Sequence, residues 1–93
     1  MSLMVKDPGS RIDYRVDWGA AYLGVNLVSA SQWQVIPAEP DGLSVLASSH
    51  DGLSALVTIA GGRSGASYAL TNRVTLTNGE IDERSITVRV EHR

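Results

Sequence analysis

Residues 68–90 read YALTNRVTLTNGEIDERSITVRV, and the rhythm of this stretch decides the fold class. Tyr68, Leu70, Asn72, Val74 and Leu76 alternate with Ala69, Thr71, Arg73, Thr75 and Thr77. Beyond Asn78-Gly79, Ile86, Val88 and Val90 alternate with Thr87 and Arg89. Two period-two runs flanking Asn-Gly predict a β-hairpin, because Asn and Gly accept the positive φ of a tight turn. The register of the two arms is informative as well. A plain two-residue turn would set Leu70 opposite Thr87 and Tyr68 opposite Arg89, apolar against polar on one face. A slip of one residue exchanges the faces of a strand, so the pattern requires either a loop with an odd residue count or a bulge within Asp82-Glu83-Arg84-Ser85. A bulge beside three charges would also discourage stray edge pairing.

The same alternation extends upstream. Ile12, Tyr14, Val16 and Trp18 alternate with Asp13, Arg15 and Asp17, a strand with one apolar and one charged face. Residues 19–24 break the pattern as a loop or a single helical turn. Leu27, Ser29, Ser31, Trp33 and Val35 share a parity whose two serines suggest two short strands or one bent strand. Pro37, Pro40 and Asp41-Gly42 mark a turn-rich connection, Leu43–Ser49 reads as a short strand, and His50-Asp51-Gly52 supplies a turn. Leu53, Ala55, Val57 and Ile59 form another apolar parity, followed by the glycine corner Gly61-Gly62-Arg63-Ser64-Gly65. About seven short strands at roughly 8–12 residue spacing, with no long helix, predict an antiparallel β-sandwich. Tyr68 opens a strand just after the glycine corner, where the tyrosine corner of immunoglobulin-like sandwiches bonds back to upstream backbone. The expected class is therefore all-β, an immunoglobulin or fibronectin type III-like sandwich, with residues 1–7 as an N-terminal extension and 8–93 as one domain. Met1-Ser2-Leu3 ahead of Met4 reads as a cloning remnant.

A chain of 93 residues allows one thin core. Its 43% hydrophobic and 19% charged residues are too apolar and too weakly charged for intrinsic disorder. Phe is absent, so Trp18, Trp33, Tyr14 and Tyr68 are the candidate core anchors among Val, Leu, Ile and Ala, with Trp33 near the middle. The absence of Cys excludes disulfides, thiol catalysis and thiolate zinc sites. No apolar run reaches the roughly 18–20 residues of a membrane span, and no signal-peptide core is visible, so the reading is of a chain made in the cytoplasm with no membrane partner. Eight basic residues interleave with ten acidic ones for a net charge of −2, which gives no footprint for nucleic acid.

Catalytic groupings are weak. His50 falls in an expected turn and His92 near the C-terminus, where neither is held by a rigid scaffold. Asp13 and Asp17 flank Arg15 on one strand face and read as a solvated ion-pair face. Asp41, Asp51, Asp82 and Glu83 lie in expected loops without calcium-site spacing. The glycine corner leads into a strand rather than a helix, and so lacks the helix N-terminus of a phosphate cradle. Tyr22, outside any strand pattern, is the one aromatic expected at a partner surface. No catalytic residue, metal or cofactor is expected.

Several blocks resemble a known family. Lys6-Asp7-Pro8, Asp13-Tyr14, Asp17-Trp18, Ser31-Gln32-Trp33-Gln34-Val35, Gly61-Gly62 with Gly65, the run Tyr68–Thr75 and the block Asp82–Val88 resemble small structural proteins of tailed bacteriophages and prophages described as fibre-tail adaptors. The likeness runs from about Lys6 to Val90, while Ile36–Ser49 fits it poorly. It implies a non-enzymatic virion component that joins other phage structural proteins where fibres meet the tail or neck, as a homo-oligomer in the assembled particle. The blocks least explained by fold alone make Asp17, Asp82, Glu83 and Arg84, with Tyr22, the expected partner surface. The competing readings are a carbohydrate-binding or adhesion module, which needs exposed aromatics, and an enzyme, which needs His50 in a polar pocket with a carboxylate.

Overall fold

The alternation of residues 68–90 becomes the central hairpin of the molecule. The computed structural model describes residues 2–19 and 26–92. Strand β6 (Ser67–Leu76) pairs antiparallel with β7 (Ile81–Val90) in an unbroken register from Ser67↔Arg89 to Thr75↔Ile81. Asn78 is thereby the apex of an odd-numbered loop, and Asp82–Ser85 contains no bulge. Gly79 donates its N–H to the Leu76 carbonyl at 2.9 Å and has φ +89°, while Leu76 N–H reaches the Glu80 carbonyl at 2.8 Å. This is a three-residue loop closed by a left-handed glycine, and it restores the face match that a two-residue turn would break. Tyr68 now faces Val88 and Leu70 faces Ile86, all buried.

Among the described residues five further strands complete two sheets: β1 (Ser2–Lys6), β2 (Arg11–Asp17), β3 (Val28–Ile36), β4 (Leu43–His50) and β5 (Ser54–Gly61). The larger sheet has the order β1-β7-β6-β3 and the smaller β2-β5-β4. All neighbours are antiparallel except β1, which runs parallel to β7. The architecture is thus a seven-stranded, two-layer β-sandwich. Ser2–Lys6, read from sequence as part of an extension, is an edge strand of the larger sheet. Strand β7 lies between β1 and β6 only over Ile86–Val90; its charged stretch Asp82–Arg84 pairs with β6 alone and has no strand on its other side among the described residues.

The serines of β3 have a structural counterpart. The strand is continuous but its register with β6 shifts between Val28 and Ala30, so it is the bent strand of the two alternatives. A second shift lies in β4 between Val45 and Ala47. The core forms in two pools. One gathers Leu43, Val57, Ile59, Tyr68, Leu70, Ile86, Val88 and Val90; the other gathers Val16, Trp18, Val28, Ala55, Val74 and Leu76. Tyr14 and Trp33 pack against both, ring edge to ring face at 6.4 Å and 82°. Trp33 bridges the pools as a middle anchor, but it is only half-buried, because β3 is an edge strand with a neighbour on one side alone.

Candidate functional site

The family-like blocks, scattered in sequence, meet at two places in the sandwich. The first is centred on Asn72, a polar residue on the apolar parity of β6 and completely buried. A buried amide needs partners for both its oxygen and its nitrogen. Asn72 Oδ1 accepts the indole N–H of the fully buried Trp18 at 2.8 Å. Its Nδ2 donates to Ser31 Oγ at 2.9 Å and to the Gln32 carbonyl at 3.1 Å. Arg84, opposite Asn72 across the β6–β7 ladder, lays its guanidinium 4.8 Å from the Trp18 ring centre. Four blocks that looked independent are therefore one node: Trp18 from the end of β2, Ser31-Gln32 from β3, Asn72 from β6 and Arg84 from β7. The node locks the two sheets together through hydrogen bonds that only this pairing satisfies, with a cation–π lid at its rim.

The second meeting place is the glycine corner. Gly62 has φ +101°, and a Cβ there would stand 2.6 Å from Val90 Cγ2, so the position requires glycine on two counts. Tyr68 Oη accepts the backbone N–H of Arg63 at 3.0 Å and donates to Glu39 Oε1 at 2.8 Å. This is the upstream backbone bond expected of Tyr68, extended by a carboxylate from the β3–β4 connection. Lys6 lies fully buried beside the corner, with Nζ donating to the Gly61 and Asp7 carbonyls at 2.8 Å each. Burial lowers its pKa from the usual lysine value, and the adjacent Asp7 charge opposes that shift.

The expected partner surface is divided by the fold. Asp17 ends β2, exposed, beside Trp18. Arg84 and the half-buried Asp82 share the inward parity of β7 near that end, and Asp82 Oδ1 accepts the Glu83 N–H at 2.8 Å. Glu83 points to the opposite face of the sheet and lies 3.8 Å from Arg73 Nε. Tyr22 is outside the described residues.

A shallow depression does hold His50 with Asp51, between Arg15, Ser49, Ser54 and Leu56. Its chemistry is that of a turn. Asp51 Oδ1 accepts the N–H groups of Leu53 and Ser54 at 2.8 Å each and the Ser54 hydroxyl at 3.1 Å. These bonds, led by the Leu53 N–H, lower the carboxyl pKa and hold it ionised. His50 Nδ1 lies 3.2 Å from the Asp51 carbonyl rather than its carboxylate. The pair is a loop clasp and lacks the orientation of an acid–base couple. Among the described residues no three His, Asp or Glu side chains are grouped for a metal ion.

Sequence reasoning left out Asn72, Lys6 and Glu39 as organising residues. The readable signal for Asn72 was its place on a parity otherwise held by apolar side chains. For Lys6 and Glu39 no local signal exists, since their partners lie far away along the chain.

Fold and site together define an all-β sandwich module whose buried polar side chains Lys6, Ser54 and Asn72 are engaged in its own architecture. The family is explicit. The model described as podophage GP4 fiber-tail adaptor protein gp77 matches residues 6–89, and the chain belongs to that family. The span agrees with the resemblance drawn from Lys6 to Val90, and it makes the chain a bacteriophage tail adaptor, of a kind that meets other tail and fibre proteins. No curated protein matches the chain.

Proposed function

We propose that this chain is a passive, non-enzymatic connector of the virion, an immunoglobulin-like module made in the bacterial cytoplasm and built into the particle where fibres join the tail or neck. The observation that carries the reading is the family match over nearly the whole chain. What supports the immunoglobulin-like part is the strand order: lettered A to G along the chain, the sheets are A-G-F-C and B-E-D, with Tyr68 at the start of F bonding upstream. What supports the passive part is that the family-like blocks brought together by the fold are engaged with one another, at the Asn72 node and at the glycine corner. Its partners are other phage structural proteins rather than nucleic acid or membrane, and in the particle it repeats with the symmetry of the tail. The end of the sandwich that bears Asp17, Asp82 and Arg84 is one contact surface.

Mass spectrometry of purified particles tests the reading, with an antibody or tag locating the chain by electron microscopy. The expected result is the chain at the tail in several copies, and fibreless particles when its gene is deleted. Particles that carry fibres and infect normally without it would overturn the proposal.

A further inference from the structure

The four edge strands, β1 and β3 of the larger sheet and β2 and β4 of the smaller, are finished differently. Strand β2 carries Arg11, Asp13, Arg15 and Asp17, charges of the kind that deter strand addition. Strand β4 (LSVLASSH) has no Asp, Glu, Lys or Arg, but a register shift interrupts it between Val45 and Ala47. Strand β3 (VSASQWQVI), the longest of the four, has none either. It pairs with β6 alone, and beyond its bulge the register is regular from Ala30 to Ile36. Among the described residues, no backbone hydrogen bond from Ala30–Ile36 goes to any element other than β6. Beyond its bulge this is an uncharged edge of regular register, with no strand hydrogen-bonded along its outer side among the described residues.

Side chains on both sides of that edge add detail. Exposure alternates along the strand: Gln32, Gln34 and Ile36 face out, while Ser31, Trp33 and Val35 are half-covered. The outward side opens on a shallow depression formed by Gln32, Gln34, Thr71, Arg73 and Glu83 with Trp33. The charges there, Arg73 and Glu83, lie 3.8 Å apart and neutralise each other. On the inward side the Trp33 indole N–H is buried with no acceptor, the one such buried side-chain polar atom among the described residues.

Resting on the adaptor reading, we infer that Ala30–Ile36 is the docking edge for an extended, uncharged segment of another virion protein, added as a fifth strand beside β3. Main-chain bonds supply the attachment and alternate side chains supply the choice of partner. The edge dictates the pattern. Residues of the incoming strand on the outward side are hydroxyl or amide types that bond to Gln32 and Gln34, and those on the inward side are apolar, against Trp33 and Val35. A charged residue in that strand would lose hydration with no free counter-charge to meet it. A second free copy is the poorer occupant. Seven residues make an edge about 24 Å long, and a strip roughly 10 Å thick covers on the order of 250 Å² per partner, well under the about 800 Å² of a standard interface. A segment anchored in the same particle needs no such area, because tethering raises its effective concentration to the millimolar range.

The test uses the full chain and overlapping synthetic peptides tiling the tail and fibre proteins encoded beside it, read by amide hydrogen exchange and Trp fluorescence. Binding peptides are expected to be uncharged with alternating polarity and to slow exchange of alternate amides within Ala30–Ile36. Gln34→Lys, an exposed change that leaves the thermal midpoint in place, is expected to weaken binding by about tenfold or more, whereas Leu56→Lys on the other sheet leaves it unchanged. Peptides that protect β1, β2 or Asp82–Arg84 instead, charged peptides as the binders, or no binding at all would overturn the inference. Incorporation into particles separates the two claims. Wild-type and Gln34→Lys chains present equally and equally fibred would sink the docking edge alone, and a wild-type chain missing from particles would sink the adaptor reading while edge-protecting peptides still upheld the edge.

Discussion

The Asn72 node and the β3 edge meet at Ser31-Gln32, and they solve opposite problems. At the node every polar atom of Asn72 has a partner, Trp18 is sealed from solvent and Arg84 covers its ring. At the edge Trp33 is half-covered with an orphan N–H, and no strand is hydrogen-bonded along the outer side of β3 among the described residues. The two tryptophans differ in consequence: one is cemented into the fold, the other is left at a border. A virion connector needs both, a body that does not yield and a margin that accepts something else.

The comparison breaks most visibly at Trp18. Trp18→Ala empties a fully buried site and removes the node's donor, and is expected to cost about 3–5 kcal/mol in chemical denaturation. A loss below 1 kcal/mol would mean that the node is not the keystone. Asn72→Leu keeps the volume but strands the Trp18 N–H in an apolar setting, with an expected cost of about 1–3 kcal/mol. Gly62→Ala strains a positive φ and drives a methyl into Val90, and should cost a similar 1–3 kcal/mol, roughly. Gly65→Ala, with a positive φ but open space around it, should cost only about 1–2 kcal/mol of strain. The sharpest form of the comparison is a matched pair. Trp18→Phe deletes a buried bond and orphans Asn72 Oδ1, whereas Trp33→Phe deletes an N–H that has no partner, so the first should exceed the second by about 1 kcal/mol or more.

The smallest effect is in pH. Asp51 is held below its usual value of 3.8 by the Leu53 and Ser54 groups that close the β4–β5 turn. The folded chain therefore releases this proton more readily than the unfolded chain, and the turn's contribution is present above about pH 4 and lost as pH falls through the lower folded value. Thermal midpoints measured from neutral to acid pH should fall less steeply for Asp51→Ala than for the wild type. Lys6 acts in the alkaline range with a shift of opposite origin: its folded pKa is depressed from 10.5 by burial, so its penalty eases as pH rises through that depressed value.

How far the residues alone could be followed varies by element. The β6–β7 hairpin was legible down to the need for either an odd loop or a bulge, because period-two patterning makes register a matter of counting, and the structure chose the loop. Strand β4 was legible as a strand, but its exposure was not: apart from Leu43 it lies open along its length, a result of its edge position in a three-stranded sheet. Strand β1 was hidden, since five residues carry little alternation and parallel pairing to the last strand leaves no local mark. The partner surface suffered most. Asp82, Glu83 and Arg84 are neighbours in sequence, but a strand sends adjacent side chains to opposite faces, so one block became a node lid and an outer ion pair.

What the chain's own order of residues determined was everything that depends on a residue and its near neighbours: strand periodicity, the glycine that closes each turn, the missing catalytic spacings and the family-like blocks. What only the tertiary structure decided was which of those blocks touch. Asn72 is 54 residues from Trp18 and 41 from Ser31, and Lys6 is 55 from Gly61. No pattern of local period can specify pairs so distant. They are selected when two sheets close on one another and each buried donor must find an acceptor, and the edge left over after that selection is where another chain has room to bind.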